Sequence, residues 1–254
     1  MKLLHDSWLV CSRAMRPLWR SPLTLAFAMF QPVLFLVLFG PLLQPLGDRF
    51  GAPDGNSWQF FVPGLLVQLA ILSPGMAGFG VIFEHRSGVI ERMRVTPLSR
   101  TALLLGRVAK DAVTLVAQSV LLVVVGVLFG LRASVPGALL GLLLIGLVAI
   151  ALAAVSNAVA LRMLDREWMF APTMSQLSVL VVLLSGLLLP MSLAPDWLRW
   201  LSVLNPLSHV VDAERALFAG RIADPVVLTG SLVAVALTAV TVLWGTRTYQ
   251  RQDS

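Results

Sequence analysis

Residues 84–100 read EHRSGVIERMRVTPLSR, and six of these seventeen positions are charged. The stretch parts two uncharged runs, Gly55–Phe83 and Ala112–Leu131, each at least twenty residues long. A helix needs ~20 mostly apolar residues, at ~1.5 Å each, to cross a bilayer core. Outward from this break the pattern repeats. Ser21–Gly47, Ala133–Leu161, Trp168–Pro195 and Pro225–Thr246 are also free of charge. The chain therefore reads as a single all-α membrane domain of six transmembrane helices. They are expected at about 23–46, 59–83, 108–130, 137–161, 170–191 and 225–246. No run shows the period-two alternation of a membrane β-strand.

Composition agrees. Of 254 residues, 57% are hydrophobic and 13% charged, against about 25% charged in soluble domains. Such a chain could build a core in water but could not cover it. Its basic residues orient it. Fourteen, among them Arg86, Arg92, Arg94, Arg107 and Arg162, fall on the side that holds both termini and residues 84–111. Only Arg49, Arg132, Arg199, Arg215 and Arg221 fall on the other. The positive-inside rule puts both termini in the cytoplasm. It also explains the net charge of +6 as a solvated basic rim rather than a nucleic-acid surface.

Catalytic signatures are missing. There is no G-x-x-x-x-G-K-[ST], H-E-x-x-H or G-x-S-x-G, and the single cysteine, Cys11, allows neither a disulfide nor a C-x-x-C pair. No paired carboxylates or Ser/His set fall inside the expected spans. The first apolar run follows a long segment without a small-residue cleavage site, so it does not read as a signal peptide.

Within residues 1–22, Trp8, Cys11, Met15, Leu18 and Trp19 recur at steps of three and four, giving one apolar face beside three arginines. This fits a helix in the membrane interface or one packed on protein. Pro32 and Pro41 should kink or end the first span, and Pro63 with SPGMAGFG at 73–80 should bend or break the second. Gly126/Gly130 and Gly137/Gly141 have the small-xxx-small spacing of close helix packing. Between spans five and six, about 192–220 reads as two short helices dipping into the outer face. They are broken at Asn205-Pro206, with Trp197, Leu198, Trp200, Leu201 and Leu204 on one stripe.

Polar residues in the spans are Gln31, Gln68, Gln118, Asn157 and Gln176. Each needs a partner in hydrocarbon, where an unpaired amide costs several kcal/mol. They either bond between helices or line a path. A candidate path joins Gln31, Gln68 and Gln176 to Phe27, Phe30, Phe35, Met76 and Phe79, an aromatic and Met-bearing wall suited to apolar ligands. In the charged stretch, Val89, Ile90 and Met93 share one helical face, opposite Glu84, Ser87, Gly88, Glu91 and Arg94. Acidic residues add nothing to membrane orientation, so a two-faced helix ending near Thr96-Pro97 is suited to docking on another protein.

The pattern E-x-x-x-G-x-x-E-R-x-x-x-T-P-L-S-R from Glu84 to Arg100, followed by Leu105-Gly106-Arg107, resembles the permeases of ABC-2-type transporters. Asn205-Pro206-Leu207-Ser208-His209, then Arg215, is similar to that family's P-L-x-H-x5-R signature. The short chain is similar to daunorubicin-resistance-type efflux permeases. The resemblance implies an N-terminal elbow helix over 1–22, a cytosolic coupling helix over 84–100 and a re-entrant outer segment before the last span. It implies that Glu84, Gly88, Glu91, Arg92, Arg94 and Pro97 couple the spans to an ATPase. Asn205, Pro206, His209, Asp212, Glu214 and Arg215 would stabilise the outer helices, or form only local surface pairs. The implied assembly is two permeases, identical or homologous, in the plasma (inner) membrane, with two ATPase subunits that bind ATP and Mg. The chain itself would hold no cofactor or metal, and membrane lipids but no nucleic acid would touch it. Three functions are weighed: an exporter permease for drugs, polyketides, lipids or lipid-linked glycans; the membrane module of an uptake system; and a membrane-embedded enzyme.

Overall fold

The computed structural model describes residues 7–13, 15, 22–43, 56–88, 100–187, 191 and 194–250; of residues 22–28, 100 and 101 it describes only the backbone. All regular structure among the described residues is helical. After a helical segment over 7–13 come α1 (Pro22–Leu43), α2 (Ser57–Gly75), α3 (Phe79–Arg86), α4 (Arg100–Leu128) and α5 (Val135–Arg162). A 3-10 turn (Leu164–Met169) leads to α6 (Phe170–Leu184), α7 (Asp196–Leu204), α8 (Pro206–Phe218) and α9 (Pro225–Gln250).

Five stretches are long and apolar enough to cross a membrane: Ser57–Arg86, Ala102–Leu128, Val135–Arg162, Leu164–Leu184 and Pro225–Gln250. The chain is a multi-pass membrane protein. Helices that face lipid carry apolar side chains on their outward as well as their inward faces. On α6, for example, Phe170, Met174 and Ser178 point inward, while Leu177, Val179, Leu180 and Leu183 are exposed.

α1 is described over 22 residues, and its helix runs through both Pro32 and Pro41. Prolines persist in membrane helices because neighbouring groups re-satisfy the freed carbonyls. Met29 and Leu36, seven residues apart, form its buried stripe. Gly40 lets it close on α2: a methyl there would stand 1.9 Å from the Trp58 ring.

The break in the second apolar run falls where Pro74 and its glycines place it. α2 stops at Gly75, residues 76–78 form a turn, and α3 restarts at Phe79. The start of α2 is fixed by Asn56, whose side chain accepts from Trp58 N at 3.1 Å and donates to Gly130 O at 3.0 Å. The two glycine pairs divide. Gly130 (φ 107°) is a turn residue in a conformation that suits glycine, not a packing partner of Gly126. Gly137 and Gly141 do make a close approach, but to α8.

α5 lies at the centre, against α2, α4, α8 and α9. One apolar cluster, including Leu65, Leu66, Leu122, Ile145, Leu207 and Phe218, joins these helices. A second, around Val81, Leu104, Ala154 and Phe170, lies where α3, α4, α5 and α6 meet. The segment over 7–13 seats on α4 at Gly106, where a methyl would stand 2.6 Å from Val10 Cβ. Of its expected apolar face, Cys11 is buried and Trp8 is 68% exposed. Leu18 and Trp19 lie outside the described residues.

Candidate transport path, coupling base and outer helix

Between α1 and α2 lies a cavity of about 240 Å³, lined by Gln31, Pro32, Phe35, Leu65, Gln68, Leu69, Leu72 and Ser73. Gln31, Phe35 and Gln68 come together there, two amides in an otherwise largely apolar wall. Leu65, Leu69 and Leu72 follow Gln68's face of α2 at steps of three and four, which periodicity could have shown. Other expected path residues lie elsewhere. Phe30 is 65% exposed beside the cavity, and Gln176 is exposed on α6. Met76 packs on the second apolar cluster, and Phe79 meets Phe170 edge-on at 5.0 Å. The break after Gly75 separates these two from the cavity. The side chain of Phe27 lies outside the described residues.

At the other end of α3, Glu84 pairs with Arg107 of α4, which also donates to the Tyr249 hydroxyl of α9 at 3.2 Å. Arg86 pairs with Glu167 of the 3-10 turn. Four segments are thereby tied at one level. Glu84 ends a membrane helix rather than opening a separate one, and Gly88 (φ 67°) closes the turn after it. Glu91, Arg92, Arg94 and Pro97 lie outside the described residues. Of the tying residues, Arg107 carries a sequence signal, in Leu105-Gly106-Arg107. Glu167 and Tyr249 carry none.

The break itself is held by a residue that the sequence did not single out. Ser156 of α5 donates its hydroxyl to Gly75 O at 2.6 Å and accepts from Gly78 N at 2.9 Å. Of the remaining span amides, Asn157 donates to its own helix at Ala153 O, while the buried Gln118 Oε1 meets no donor among the described residues.

The outer motif forms a seat for α8. Asn205 caps it, accepting from Leu207 N at 3.1 Å and donating to Val181 O of α6 at 3.1 Å. Pro206 follows as its first residue, where no donor is needed. His209 meets Val203 O at 3.2 Å. Arg215 donates to Gly186 O and Leu187 O, both at 3.0 Å, and lies 3.6 Å above the Phe60 ring centroid. It also faces Asp212 at 3.8 Å. Burial lowers the Arg215 guanidinium to about 10, with Asp212 acting against that shift, so it stays cationic at neutral pH. Glu214 joins none of these bonds. On α7 the Trp197, Trp200 and Leu204 stripe faces outward.

Among the described residues, no group of three metal-ligating side chains occurs. The model of the ABC-2 type transporter family matches residues 6–219. The ycf38 protein of Cyanophora paradoxa, named as a transport permease, is 28% identical over 217 residues, covering 85% of this chain and 74% of its own. The daunorubicin resistance ABC transporter permease protein DrrB1 of Streptomyces coeruleorubidus is 28% identical over 213 residues, 82% of this chain and 73% of its own. The ycf38 protein of Porphyra purpurea is 24% identical over 224 residues, 85% and 75%. The chain belongs to the ABC-2 type transporter family: it is a non-catalytic transport permease subunit, and the ATPase with which it associates is a separate polypeptide.

Proposed function

We propose that this chain is the membrane subunit of an ATP-driven exporter that moves hydrophobic or amphipathic compounds out across the plasma membrane. The observation that carries this reading is the cavity between α1 and α2, with its apolar wall and the amides of Gln31 and Gln68. An apolar pocket with few polar groups binds greasy ligands and orients them by those groups. Gln176, exposed on α6, calls for a partner in the membrane, since a lipid-facing amide is costly. A second permease copy, identical or homologous, supplies it and closes the path.

In this reading α1 is the sixth span, both termini are cytoplasmic, and the segment over 1–22 is the elbow. Two ATPase subunits bind ATP and Mg and close on each other. Glu84, Gly88, Glu91, Arg92, Arg94 and Pro97 receive that movement, and α3 carries it into the spans. The similarity to a drug-resistance permease supports efflux of an apolar compound.

The experiment is reconstitution with the ATPase in proteoliposomes, scoring ATP-dependent accumulation of lipophilic cationic and neutral dyes. Leu72→Trp, which fills the cavity, is expected to lower substrate-stimulated transport at least tenfold. Transport unaffected by filling would remove the cavity from the path. Movement in the opposite direction would make the protein an uptake module.

A further inference from the structure

Glu214 of α8 is fully buried, and neither of its carboxyl oxygens meets a hydrogen-bond donor among the described residues. The side chain points into the groove of α5. A methyl built on Gly141 would stand 2.6 Å from Glu214 Oε2 and 2.9 Å from the Phe218 ring.

Among the described residues, no charge faces the carboxyl from the surrounding elements. Along α5 the sole charged residue is Arg162, at the far end, and along α9 it is Arg247, also at the far end. α2 carries no charge at all. On α7, Asp196 and Arg199 face each other at 3.8 Å on the surface. In the adjoining turns Arg132 is exposed, and Arg221 pairs with Asp224 at 3.1 Å. On α8 itself, Arg215 turns to Phe60, Gly186 and Leu187, Asp212 is exposed beside it, and His209 meets Val203. A carboxylate buried this deeply loses the stabilisation of bulk water, and no described cation reaches it. Burial accordingly pushes the Glu214 carboxyl up to about 8.

α8 is also bounded by a break at each end. It begins at a break between helices, where Asn205 is extended, and is followed by a turn at Gly220 with φ 80°. Three glycines form its seat: methyls at Gly137, Gly141 and Gly230 would meet Leu217 O, Glu214 and Ala213 at 1.9, 2.6 and 2.5 Å. Such close contact is either kept whole or lost whole.

We propose that Glu214 is a protonation site that clasps α8 onto α5: the helix sits with the carboxyl protonated and lifts when that proton passes to water. The O–H bond of the carboxylic acid breaks, water takes the proton, and the hydrated carboxylate remains on the lifted helix. No other reactant is needed. The sign follows from linkage. An acid whose seated value lies above its exposed value, near 4.5, holds the seat fully below that exposed value. The hold weakens about tenfold per pH unit until the seated value is passed. Where the exporter reading places α8 on the outer face, an acidic exterior therefore clamps the exit side and an alkaline one frees it. That sidedness rests on the exporter reading, whereas the clasp does not.

Hydrogen exchange on the complete permease in lipid nanodiscs tests the clasp. After correction for intrinsic base catalysis, α8 amides are expected to lose protection about tenfold per unit between about pH 5.5 and 7.5. Amides in the middle of α5 stay flat. Glu214→Gln is expected to abolish the slope, and Glu214→Met serves the same purpose if the amide variant fails to fold. Flat α8 protection in the unaltered protein, or an unchanged slope in either variant, overturns the proposal. Transport measured against external pH then separates the two readings. A clasp slope with no dependence on external pH would count against the outer placement of α8, not against the clasp.

Discussion

The hydroxyl of Ser156 bridges the two lips of the break between α2 and α3, donating to Gly75 O at 2.6 Å and accepting from Gly78 N at 2.9 Å. One small side chain on α5 thus replaces bonds that the interrupted helix cannot make for itself. Ser156→Ala leaves two buried backbone groups unpaired, at ~1–3 kcal/mol for each unsatisfied group. The expected outcome is a lowered thermal midpoint of the purified permease, with α3 amides exchanging faster than those of α2. Equal exchange in the two helices would remove the pivot role from Ser156.

Gly78 makes the same joint tight. A methyl there would stand 2.5 Å from Ser156 O and 2.6 Å from the Phe170 ring. Backbone cannot yield as a flexible side chain does, so overpacking of ~1–3 kcal/mol or more follows. Gly80, two residues further on, has open space around it. Gly80→Ala is therefore expected to be neutral or slightly stabilising, by ~0.5–1 kcal/mol from helix propensity. Thermal denaturation of the two alanine variants side by side checks both signs.

Arg107 meets Glu84 and Tyr249, so one guanidinium joins the ends of α3, α4 and α9. Its side chain is 12% exposed and that of Glu84 32%, so water screens the pair only in part. A double-mutant cycle with Arg107→Met and Glu84→Gln is expected to give a coupling of ~0.5–3 kcal/mol in stability. Arg107→Lys keeps the charge but loses the fork that reaches two partners at once. It should retain the coupling to Glu84 and lose that to Tyr249, measured as a second cycle with Tyr249→Phe.

Much of this architecture was legible because bilayer chemistry leaves a coarse mark on sequence. Uncharged runs mark the five stretches long and apolar enough to cross a membrane, and Pro74 with Gly75 and Gly78 marks the break between α2 and α3. Asn205-Pro206 marks the cap and first turn of α8. What the runs could not show is which face of each helix is inward. Lipid and protein interior are equally apolar, so Met76 and Phe79 read like Phe35 and yet lie on the far side of the break. Ser156 and Tyr249 left no trace, because bonds made across 81 and 142 residues have no local pattern. Gly137 and Gly141 were visible as a close approach, but their partner is a helix far along the chain.

Arg215 anchors the seat of α8 through four contacts of three kinds: two carbonyls at 3.0 Å, the Phe60 ring at 3.6 Å and Asp212 at 3.8 Å. The planar guanidinium can stack and donate in its own plane at once, which an ammonium cannot. Arg215→Lys therefore keeps attraction to Asp212 but gives up the stack or a carbonyl. The expected loss is ~1.5–3 kcal/mol, the range for hydrogen bonds to a charged group. Phe60→Leu removes the ring while preserving apolar contact, so only the cation–π part, ~0.5–2 kcal/mol, should go. If the stack matters, Phe60→Leu costs less when combined with Arg215→Lys than it does alone. Equal costs in the two backgrounds would assign the whole effect of Arg215 to the carbonyls of Gly186 and Leu187. Thermal midpoints of the parent, the two single variants and the double variant in nanodiscs decide between these outcomes.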